Sequence, residues 1–208
     1  MKTYVRVSDI LARLQNFSTI DPDILANKAA IGDEVHAAIY KDVNNENVTL
    51  STQRAEAYFD SYKLWHSEEK PIYLMMETRL FDDNLMITGQ MDALIDHKDG
   101  PILIDYKTSA KPNEKIWCMQ AHFYWYLLHT NKMNVGNRMR WINLKQKKVP
   151  IVDDDGEPIR DDWNTIQYQY IPLKPKVHEF NFDPKVLQEC IDEANKYWED
   201  KANNFDID

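Results

Sequence analysis

Residues 86–124, MITGQMDALIDHKDGPILIDYKTSAKPNEKIWCMQAHFY, predict two β-strands joined by a tight turn and followed by a helix. The segments ITGQMDALI and PILIDYK are rich in apolar and β-branched residues, and the HKDG between them is typical of a turn. If His97–Gly100 form a four-residue loop, Asp92 lies directly opposite Asp105. We therefore expect an antiparallel hairpin that brings two carboxylates together.

Side chains alternate between the two faces of a strand, so this register predicts a polar face and an apolar face. The polar face consists of Gln90, Asp92, Asp105 and Lys107. The other face is expected to pack in the core and consists of Met91, Ala93, Ile95, Ile102, Ile104 and Tyr106. A slip of one residue would separate the carboxylates onto opposite sides of the sheet, and the pattern therefore favours this register.

Two carboxylates that face each other across a ladder repel, so the fold requires a compensating cation. Lys107 supplies one positive charge, and a divalent metal ion would supply more. Mg²⁺ prefers carboxylate oxygens, and a bound metal ion lowers the pKa of water and stabilises charge on a phosphoryl group. Lys107 could then orient or deprotonate that water. From Asp92, Asp105 and Lys107 alone, a surface hairpin with alternating polar residues is an equally good interpretation.

Three short motifs in this segment resemble the signature of PD-(D/E)XK nucleases of the RecB-like group. In chain order, on the expected strand, strand and helix, they are Gly89-x-x-Asp92, Asp105-x-Lys107 and Gln120-x-x-x-Tyr124. D-x-K alone occurs by chance in most chains, whereas all three motifs in order form a specific pattern. The motifs therefore favour the nuclease over the surface hairpin.

The resemblance continues upstream. Gly32-x-x-x-His36 is similar to a helix that these enzymes often carry, and Val7–His36 resembles the N-terminal helices of phage-encoded members. Taken alone, His36 would be interpreted as a structural histidine beside an apolar stripe. A glycine inside a helix costs about 1 kcal/mol relative to alanine, so we expect Gly32 to permit close approach of another backbone. The resemblance covers residues 5–130, and the remaining C-terminal residues match no known family.

The family implies an α/β fold, the PD-(D/E)XK (restriction-endonuclease-like) sandwich, with a mixed central sheet of about four or five strands flanked by helices. We expect a single nuclease domain over residues 1–208. Its parts would be N-terminal helices (1–70), a catalytic core with the motif hairpin and helix (71–144), and a C-terminal strand and helix elaboration (145–208).

The resemblance also implies three sets of site residues. The catalytic residues would be Lys107, Asp105, Asp92 and Gln120. The metal ligands would be His36, Asp92, Asp105 and the main-chain carbonyl of Tyr106, with Glu77 as a lesser candidate. The contacts to nucleic acid would be Gln120, Tyr124, Lys111, Lys115, Arg138 and Arg140. Taken alone, Glu77 is equally well interpreted as a solvent-side residue, and Tyr124 as a core tyrosine.

The implied function is Mg²⁺- or Mn²⁺-dependent hydrolysis of DNA phosphodiester bonds. We expect an exonuclease that acts on single- or double-stranded DNA ends in recombination, repair or phage DNA metabolism. The protein would be phage-encoded, located in the bacterial cytoplasm, and partnered by a phage recombination or replication protein. The alternative is a catalytically inactive module on a nuclease scaffold that binds nucleic acid or protein. The intact Asp92, Asp105, Lys107 and Gln120 favour the enzyme.

Composition sets limits on these interpretations. The net charge of −9 argues against a general polyanion binder. The segment 115–152 nevertheless carries seven Lys or Arg residues and no Asp or Glu, so it predicts either a solvated positive face or a surface that follows phosphates. Cys118 and Cys190 are expected to be buried thiols, and two cysteines cannot build a four-cysteine iron–sulfur cluster. We expect neither a membrane span nor a secretory signal.

Periodicity and capping residues predict the remaining elements. Helices are expected over 9–16 with Ser8 as N-cap, 27–41, 52–67, 113–129, and from Asp183 onward. A helical stretch of its own is expected from Asp21. Strands are expected over 72–81, 138–144 and 166–173. The acidic segment 152–158 lacks the spacing of a calcium loop and predicts a solvated turn.

Overall fold

The computed structural model of the protein describes residues 2–16 and 18–205. Its helices are α1 (Val7–Ala12), α2 (Pro22–Val43), α3 (Gln53–Glu69), α4 (Glu114–Thr130) and α5 (Pro184–Phe205). Its strands are β1 (Val5–Arg6), β2 (Tyr73–Asp82), β3 (Ile87–Ile95), β4 (Ile102–Lys107), β5 (Arg138–Pro150) and β6 (Tyr168–Asn181). Among these helices, none is long and apolar enough to cross a bilayer.

The six strands form one mixed sheet in the order β1-β3-β4-β5-β6, with β2 paired to β3. Strands β2 and β3, β3 and β4, and β5 and β6 are antiparallel, whereas β1 on β3 and β4 on β5 are parallel. This confirms the predicted mixed α/β sheet. The sheet exceeds the expected number of strands partly because two residues before α1 add the short parallel strand β1.

Helices cover both faces of the sheet, as predicted. On one face α1, α4 and α5 contribute to a core cluster that includes Leu11, Phe123 and Cys190. On the other face α2 and α3 contribute to a second cluster that includes Val35 and Tyr62. The helix periodicity in the sequence buries one stripe of each helix in this way. Helix α5 completes the first cluster, so the C-terminal residues belong to the core.

The register of the motif hairpin is confirmed over the part of the ladder that forms. Ile95 pairs with Ile102 and Ala93 with Ile104. The described ladder ends there, one pair before Asp92 would meet Asp105. Strand β4 continues on its other edge, where β5 pairs with residues 103–107. The carboxylates are therefore in register, but the two strands separate where these side chains lie.

The predicted apolar face is confirmed for five of its six residues, because Ala93, Ile95, Ile102, Ile104 and Tyr106 pack together in the cluster under α2 and α3. The predicted polar face is wrong. Leu94 and Leu103 fall on the expected polar face and are buried, at 3% and 0% exposure, in the cluster under α4. Met91 also packs in that cluster, whereas its expected neighbour Ala93 packs in the other. The sheet is covered by helices on both sides, so polar residues concentrate only at the strand ends. The change of side between Met91 and Ala93 coincides with Asp92.

Several helix ends differ from the sequence prediction. Helix α1 begins at Val7, after Arg6 as N-cap, so Ser8 lies inside the helix. The segment from Asp21 is not separate from the next helix, because α2 runs for 22 residues from Pro22. Asp21 caps it, accepting a hydrogen bond from the Asp23 amide. The gap expected before residue 27 does not exist because Asp23–Ala26 contain no helix breaker.

Strands β5 and β6 extend beyond the predicted 138–144 and 166–173. They form a ladder from Arg138↔Asn181 to Pro150↔Tyr168. The outer half is largely exposed, so it lacks the apolar alternation that would have predicted it. The acidic segment 152–158 is the predicted turn: Asp153 Oδ1 accepts hydrogen bonds from the amides of Asp155 and Glu157.

Candidate active site

The polar motif residues meet in a notch where β3 and β4 separate. Strand β3 is paired to β2 along one edge, so β1 and β4 share its other edge, at residues 87–88 and 93–95 respectively. Residues 89–92 lie between these two pairings. Helix α4 packs closely there, because a Cβ added to Gly89 would lie 2.6 Å from Cε1 of Tyr124. The first glycine and the last tyrosine of the motifs are thus a packing pair.

Asp92 anchors the β3 side of the notch. Its Oδ1 lies 3.2 Å from His36 Nδ1 on α2, and its Oδ2 accepts a 2.7 Å hydrogen bond from the Tyr106 amide on β4. The Asp92 side chain is 10% exposed and that of His36 is 27% exposed. One carboxylate therefore links α2, β3 and β4.

Glu77 belongs to the same group and is more central than the sequence indicated. It lies in the β2 ladder between Met76↔Ala93 and Thr78↔Met91, and its backbone φ is 46°. A left-handed backbone is rare for a residue other than glycine and concentrates at functional sites. Gln90 Nε2 donates a 2.6 Å hydrogen bond to Glu77 Oε2. Arg79 Nη2 donates in turn to Gln90 Oε1 at 2.8 Å and so fixes the glutamine.

Asp105 and Lys107 form the β4 side of the notch. Lys107 Nζ lies 2.6 Å from Asp105 Oδ2, and their side chains are 18% and 3% exposed. Gln120 on α4 joins the pair, because its Oε1 accepts from Lys107 Nζ at 2.9 Å and its Nε2 donates to Asp105 Oδ1 at 3.3 Å. The same Nε2 lies 3.2 Å from the Tyr124 hydroxyl. The motif helix therefore holds the lysine through one amide.

The surroundings shift the pKa values of Asp92 and Asp105 in opposite directions. Burial raises the pKa of Asp92, but the charge and hydrogen bond of His36 outweigh burial and lower it below 3.8. Burial, followed by the charge of Asp92, raises the pKa of Asp105 to about 7 against the opposing charge of Lys107. Burial would lower the pKa of His36, but the Asp92 carboxylate raises it to about 9. Burial and Asp92 also raise the pKa of Glu77.

The donor atoms fit a divalent cation. One ligand atom each from His36, Glu77 and Asp92 lie within 4.8 Å of one another. Within the described residues, Asp105 Oδ2 is buried and accepts no hydrogen bond of good geometry, although Lys107 Nζ contacts it. Two carboxylates and one imidazole suit Mg²⁺ or Mn²⁺. Asp92 accepts a hydrogen bond from the Tyr106 amide, which holds this part of β4 in place. The Tyr106 carbonyl, which was predicted as a metal ligand, belongs to the next peptide group.

Two cavities meet at this group and share Asp33 and His36. The first has a volume of about 610 Å³ and is lined by Glu77, Gln90 and Asp92. The second has a volume of about 730 Å³ and lies against the loop after β4 and the start of α3. The two cavities therefore adjoin at His36, one of the candidate metal ligands.

The predicted contacts to nucleic acid do not form one surface. Lys111 lines the second cavity, and Lys115 is exposed on α4. Arg138 is bonded to Asp99 at 3.1 Å, and Arg140 is bonded to Glu179 at 2.8 Å. Of the remaining lysines of the segment 115–152, Lys145 donates to the carbonyls of Ser109 and Ala110. The basic segment is therefore distributed over the molecule.

Sequence reasoning gave no role to several residues at the site. The sequence pattern places Gln90 near the carboxylates without assigning it a function, and it assigns none to Arg79, Lys28 or Arg54. Alternation along β2 and β3 could have indicated that Arg79 and Gln90 are neighbours. No sequence pattern marks Lys28 and Arg54, because each is an ordinary charged residue on a helix. Cys118, expected to be buried, is partly exposed, whereas Cys190 is buried.

The chain is similar to one protein family and to solved structures of low sequence identity. The sequence model of the PD-(D/E)XK nuclease superfamily matches residues 9–204, so the similarity extends through α5. A phage-related exonuclease from Haemophilus somnus 129PT shares 15% identity over 99% of this chain and 97% of that chain, with a TM-score of 0.48. An alkaline exonuclease from Laribacter hongkongensis shares 12% identity over 97% of this chain and 94% of that chain, with a TM-score of 0.44. The search of curated proteins gave no match.

Proposed function

Because this chain belongs to the PD-(D/E)XK nuclease superfamily, we propose that it is a deoxyribonuclease that requires Mg²⁺ or Mn²⁺. It hydrolyses phosphodiester bonds at the notch between β3 and β4 and acts as an exonuclease on DNA ends. Its setting is DNA recombination, repair or phage DNA metabolism in the bacterial cytoplasm. A phage recombination or replication protein is the proposed partner.

One observation carries this proposal. A lysine and a carboxylate, Lys107 and Asp105, are held 2.6 Å apart, and the carboxylate is buried. They lie beside a group of metal-ligating atoms from His36, Glu77 and Asp92. A solvated surface hairpin would not bury these charges, because an isolated buried charge costs several kcal/mol. Their arrangement matches what phosphodiester hydrolysis requires, namely a cation site and a positioned proton-transfer group.

His36, Glu77, Asp92 and Asp105 would hold the metal ion, with the Tyr106 carbonyl completing the set. A bound divalent cation supplies a water molecule of lowered pKa and stabilises charge on the phosphate. Lys107 would orient that water as an ammonium, or would accept its proton as a neutral amine and so become one; the ammonium would offset the negative charge that develops in the transition state. Gln120 holds Lys107 Nζ at 2.9 Å, which fixes the position of this charge.

The DNA strand follows the two cavities that meet at Asp33 and His36. Lys111 lines the second cavity and Tyr124 the first, and Gln120 lies next to Tyr124 on α4. Lys115 is exposed on the same helix. Arg138 and Arg140 are not part of the proposed path, because each is already paired with a carboxylate.

A cleavage assay tests the proposal. End-labelled linear and circular DNA, single- and double-stranded, are incubated with the protein and Mg²⁺, Mn²⁺ or EDTA. We expect loss of linear but not circular DNA, only with metal, and no loss with Lys107→Ala or Asp105→Ala. Lys98→Ala is the matched control, because Lys98 is exposed at the tip of the motif hairpin.

Two outcomes would change the conclusion. Cleavage of circular DNA by the wild type alone would retain the nuclease and replace the exonuclease by an endonuclease. Equal cleavage by wild type and variants, or none with either metal, would reject the enzyme. DNA binding that survives in EDTA without any cleavage would then identify a binding module on the nuclease scaffold.

A further inference from the structure

The second cavity is lined by Arg54, an arginine that has no carboxylate partner among the described residues. Arg54 lines it at the start of α3, and its Nε is buried with no hydrogen-bond partner among the described residues. Within residues 2–16 and 18–205 its guanidinium also forms no ion pair. A buried guanidinium nitrogen without a partner is costly, so this position is suited to an anionic ligand.

We propose that Arg54 binds a phosphate of the DNA strand in the second cavity, next to the metal-ligand group. The inference rests on the proposed function and adds a substrate contact that is separate from the motif residues. Arg54 acts in binding and does not touch the reacting atoms.

The charge of the cavity supports an anion. Lys28 and Lys111 line it together with Arg54, whereas Asp33 is the carboxylate found in its lining. His36, shared with the first cavity, connects it to the metal ligands. The first cavity differs, because Glu77 and Asp92 face it. A strand that crosses both cavities would meet metal ligands first and free cations next.

The position of Arg54 is fixed by its helix. Arg54 is the second residue of α3, whose N-cap Thr52 accepts a hydrogen bond from the Ala55 amide at 3.1 Å. Its guanidinium carbon lies 5.9 Å from the centre of the Tyr58 ring, one turn later. This contact supports the side chain without neutralising it. The partial positive charge of the helix N-terminus adds to that of the guanidinium.

The wall of the cavity is suited to the rest of a nucleotide. Tyr58 and Trp117 contribute aromatic surface, and Ile20 and Leu25 contribute aliphatic surface. Sugars and bases pack against such surfaces, and stacking on aromatic rings tolerates any base. The predicted ligand is therefore one nucleotide unit of a strand, with its phosphate on Arg54, bound without sequence preference.

The test measures binding without cleavage. A fluorescent single-stranded oligonucleotide is titrated with the protein in EDTA over a range of salt concentrations. We expect Arg54→Gln to weaken binding about tenfold and to reduce the slope of log affinity against log salt by about 0.7, the value for one phosphate on a single strand. Arg160→Gln is the matched control, because Arg160 lies in the exposed β5–β6 connection. Unchanged affinity and slope in Arg54→Gln would overturn the inference.

A second variant distinguishes a loss of binding from a folding defect. If Arg54→Gln lowers the melting temperature strongly, Arg54→Lys keeps the charge and the aliphatic stem. We expect it to retain the wild-type salt slope but to bind several-fold more weakly, because an ammonium cannot form the two parallel hydrogen bonds of a guanidinium. A loss of salt slope in Arg54→Lys as large as that in Arg54→Gln would overturn the proposed phosphate contact.

The ends of the oligonucleotide distinguish the source of the phosphate. An Arg54 effect that persists on strands with hydroxyl ends assigns the site to an internal phosphate. An effect confined to strands with a 5′- or 3′-phosphate assigns it to that terminus. Because binding in EDTA requires no cleavage, the inference can stand if the protein proves inactive. It can also fail, by unchanged binding in Arg54→Gln, in a protein that cleaves DNA.

Discussion

The two sides of the notch hold similar carboxylates in different ways. On the β3 side, Asp92 pairs with an imidazole from α2 and shares its surroundings with Glu77 from β2. On the β4 side, Asp105 pairs with Lys107 from its own strand, and Gln120 fixes both. The β3 side opens onto a cavity, whereas the Asp105 side chain is 3% exposed.

This difference separates two kinds of chemical work. The β3 side presents oxygen and nitrogen ligands that are close together and accessible, which suits a cation. The β4 side holds the Lys107 amino group in one place, which suits proton transfer and the stabilisation of developing charge. Asp105 lies between them, and a pKa near 7 lets it change protonation when a cation arrives. We therefore expect variants on the two sides to fail in distinguishable ways.

The largest effect is expected when two single variants are compared, one on each side of the notch. Asp92→Asn should reduce cleavage by about 10³-fold or more and should also abolish thermal stabilisation by Mn²⁺, because the central ligand is lost. Lys107→Met should reduce cleavage by about 10²–10⁴-fold but keep the stabilisation by Mn²⁺. Single-turnover cleavage and melting temperature measure the two properties. Asp60→Asn, on the exposed side of α3, is the control. Loss of metal stabilisation in both variants would remove the distinction.

A smaller effect is expected for Glu77→Gln. Glu77 is held by Gln90 within the ligand group, so its loss should weaken apparent metal affinity by about 10–100-fold while activity recovers at high Mn²⁺. The measurement is the cleavage rate as a function of metal concentration. Glu56→Gln, on the exposed side of α3, should leave the metal dependence unchanged. If the half-maximal Mn²⁺ concentration does not move in Glu77→Gln, the residue is not a ligand.

Two glycine-to-alanine variants compare how closely helices α4 and α2 pack against their neighbours. Gly89→Ala would place Cβ 2.6 Å from the Tyr124 ring, and we expect a cost of about 1–3 kcal/mol. For a chain of this size each kcal/mol lowers the melting temperature by about 2–4 °C. Gly32→Ala places Cβ 3.4 Å from Thr108 Oγ1 in a helix interior, so it should be neutral or stabilising. Thermal unfolding in EDTA measures both, and equal destabilisation would contradict this account.

The smallest effect is a pH dependence of stability. The folded pKa of His36, about 9, lies above 6.5, and that of Asp105, about 7, lies above 3.8. The folded protein thus binds more protons than the unfolded chain between these values, and its stability falls as pH rises from about 5 to 9. A cation displaces those protons, so stabilisation by Mn²⁺ should grow over the same interval. Melting temperatures in EDTA and in Mn²⁺ check this, and a rise with pH in EDTA would refute the assignment. Asp105→Asn should flatten the part below about pH 7.

Local patterns predicted the β4 side better than the β3 side. The D-x-K and Q-x-x-x-Y motifs are each contiguous, so strand periodicity placed Asp105 and Lys107 on one face and helix periodicity did the same for Gln120 and Tyr124. The contact between the two pairs was implied by the family resemblance. The contacts of Asp92 with His36 and the Tyr106 amide are tertiary and leave no period in the sequence. The end of the β3–β4 ladder also leaves no pattern in the sequence. There the Tyr106 amide donates to the Asp92 side chain instead of to the β3 backbone.

Glu77 and Gly32 show two further limits. The position of Glu77 depends on a left-handed backbone inside a strand, which propensities for strand residues do not indicate. Gly32 was expected to admit a neighbouring backbone, but a Cβ added to it would lie 3.4 Å from the Thr108 side chain. A glycine in a helix indicates a close approach without identifying what approaches. Only packing of α2 against the loop after β4 supplies that information.

The separation of β3 from β4 has a consequence for the order in which the protein folds. The proposed ligand atoms come from α2, β2, β3 and β4, and the lysine is fixed from α4. Strand β4 also needs β5 on its other edge, where Lys107 pairs with Asn143. Contacts so distant along the chain form slowly and late. A chain emerging from the ribosome would form its candidate active site only after most of its length had been synthesised.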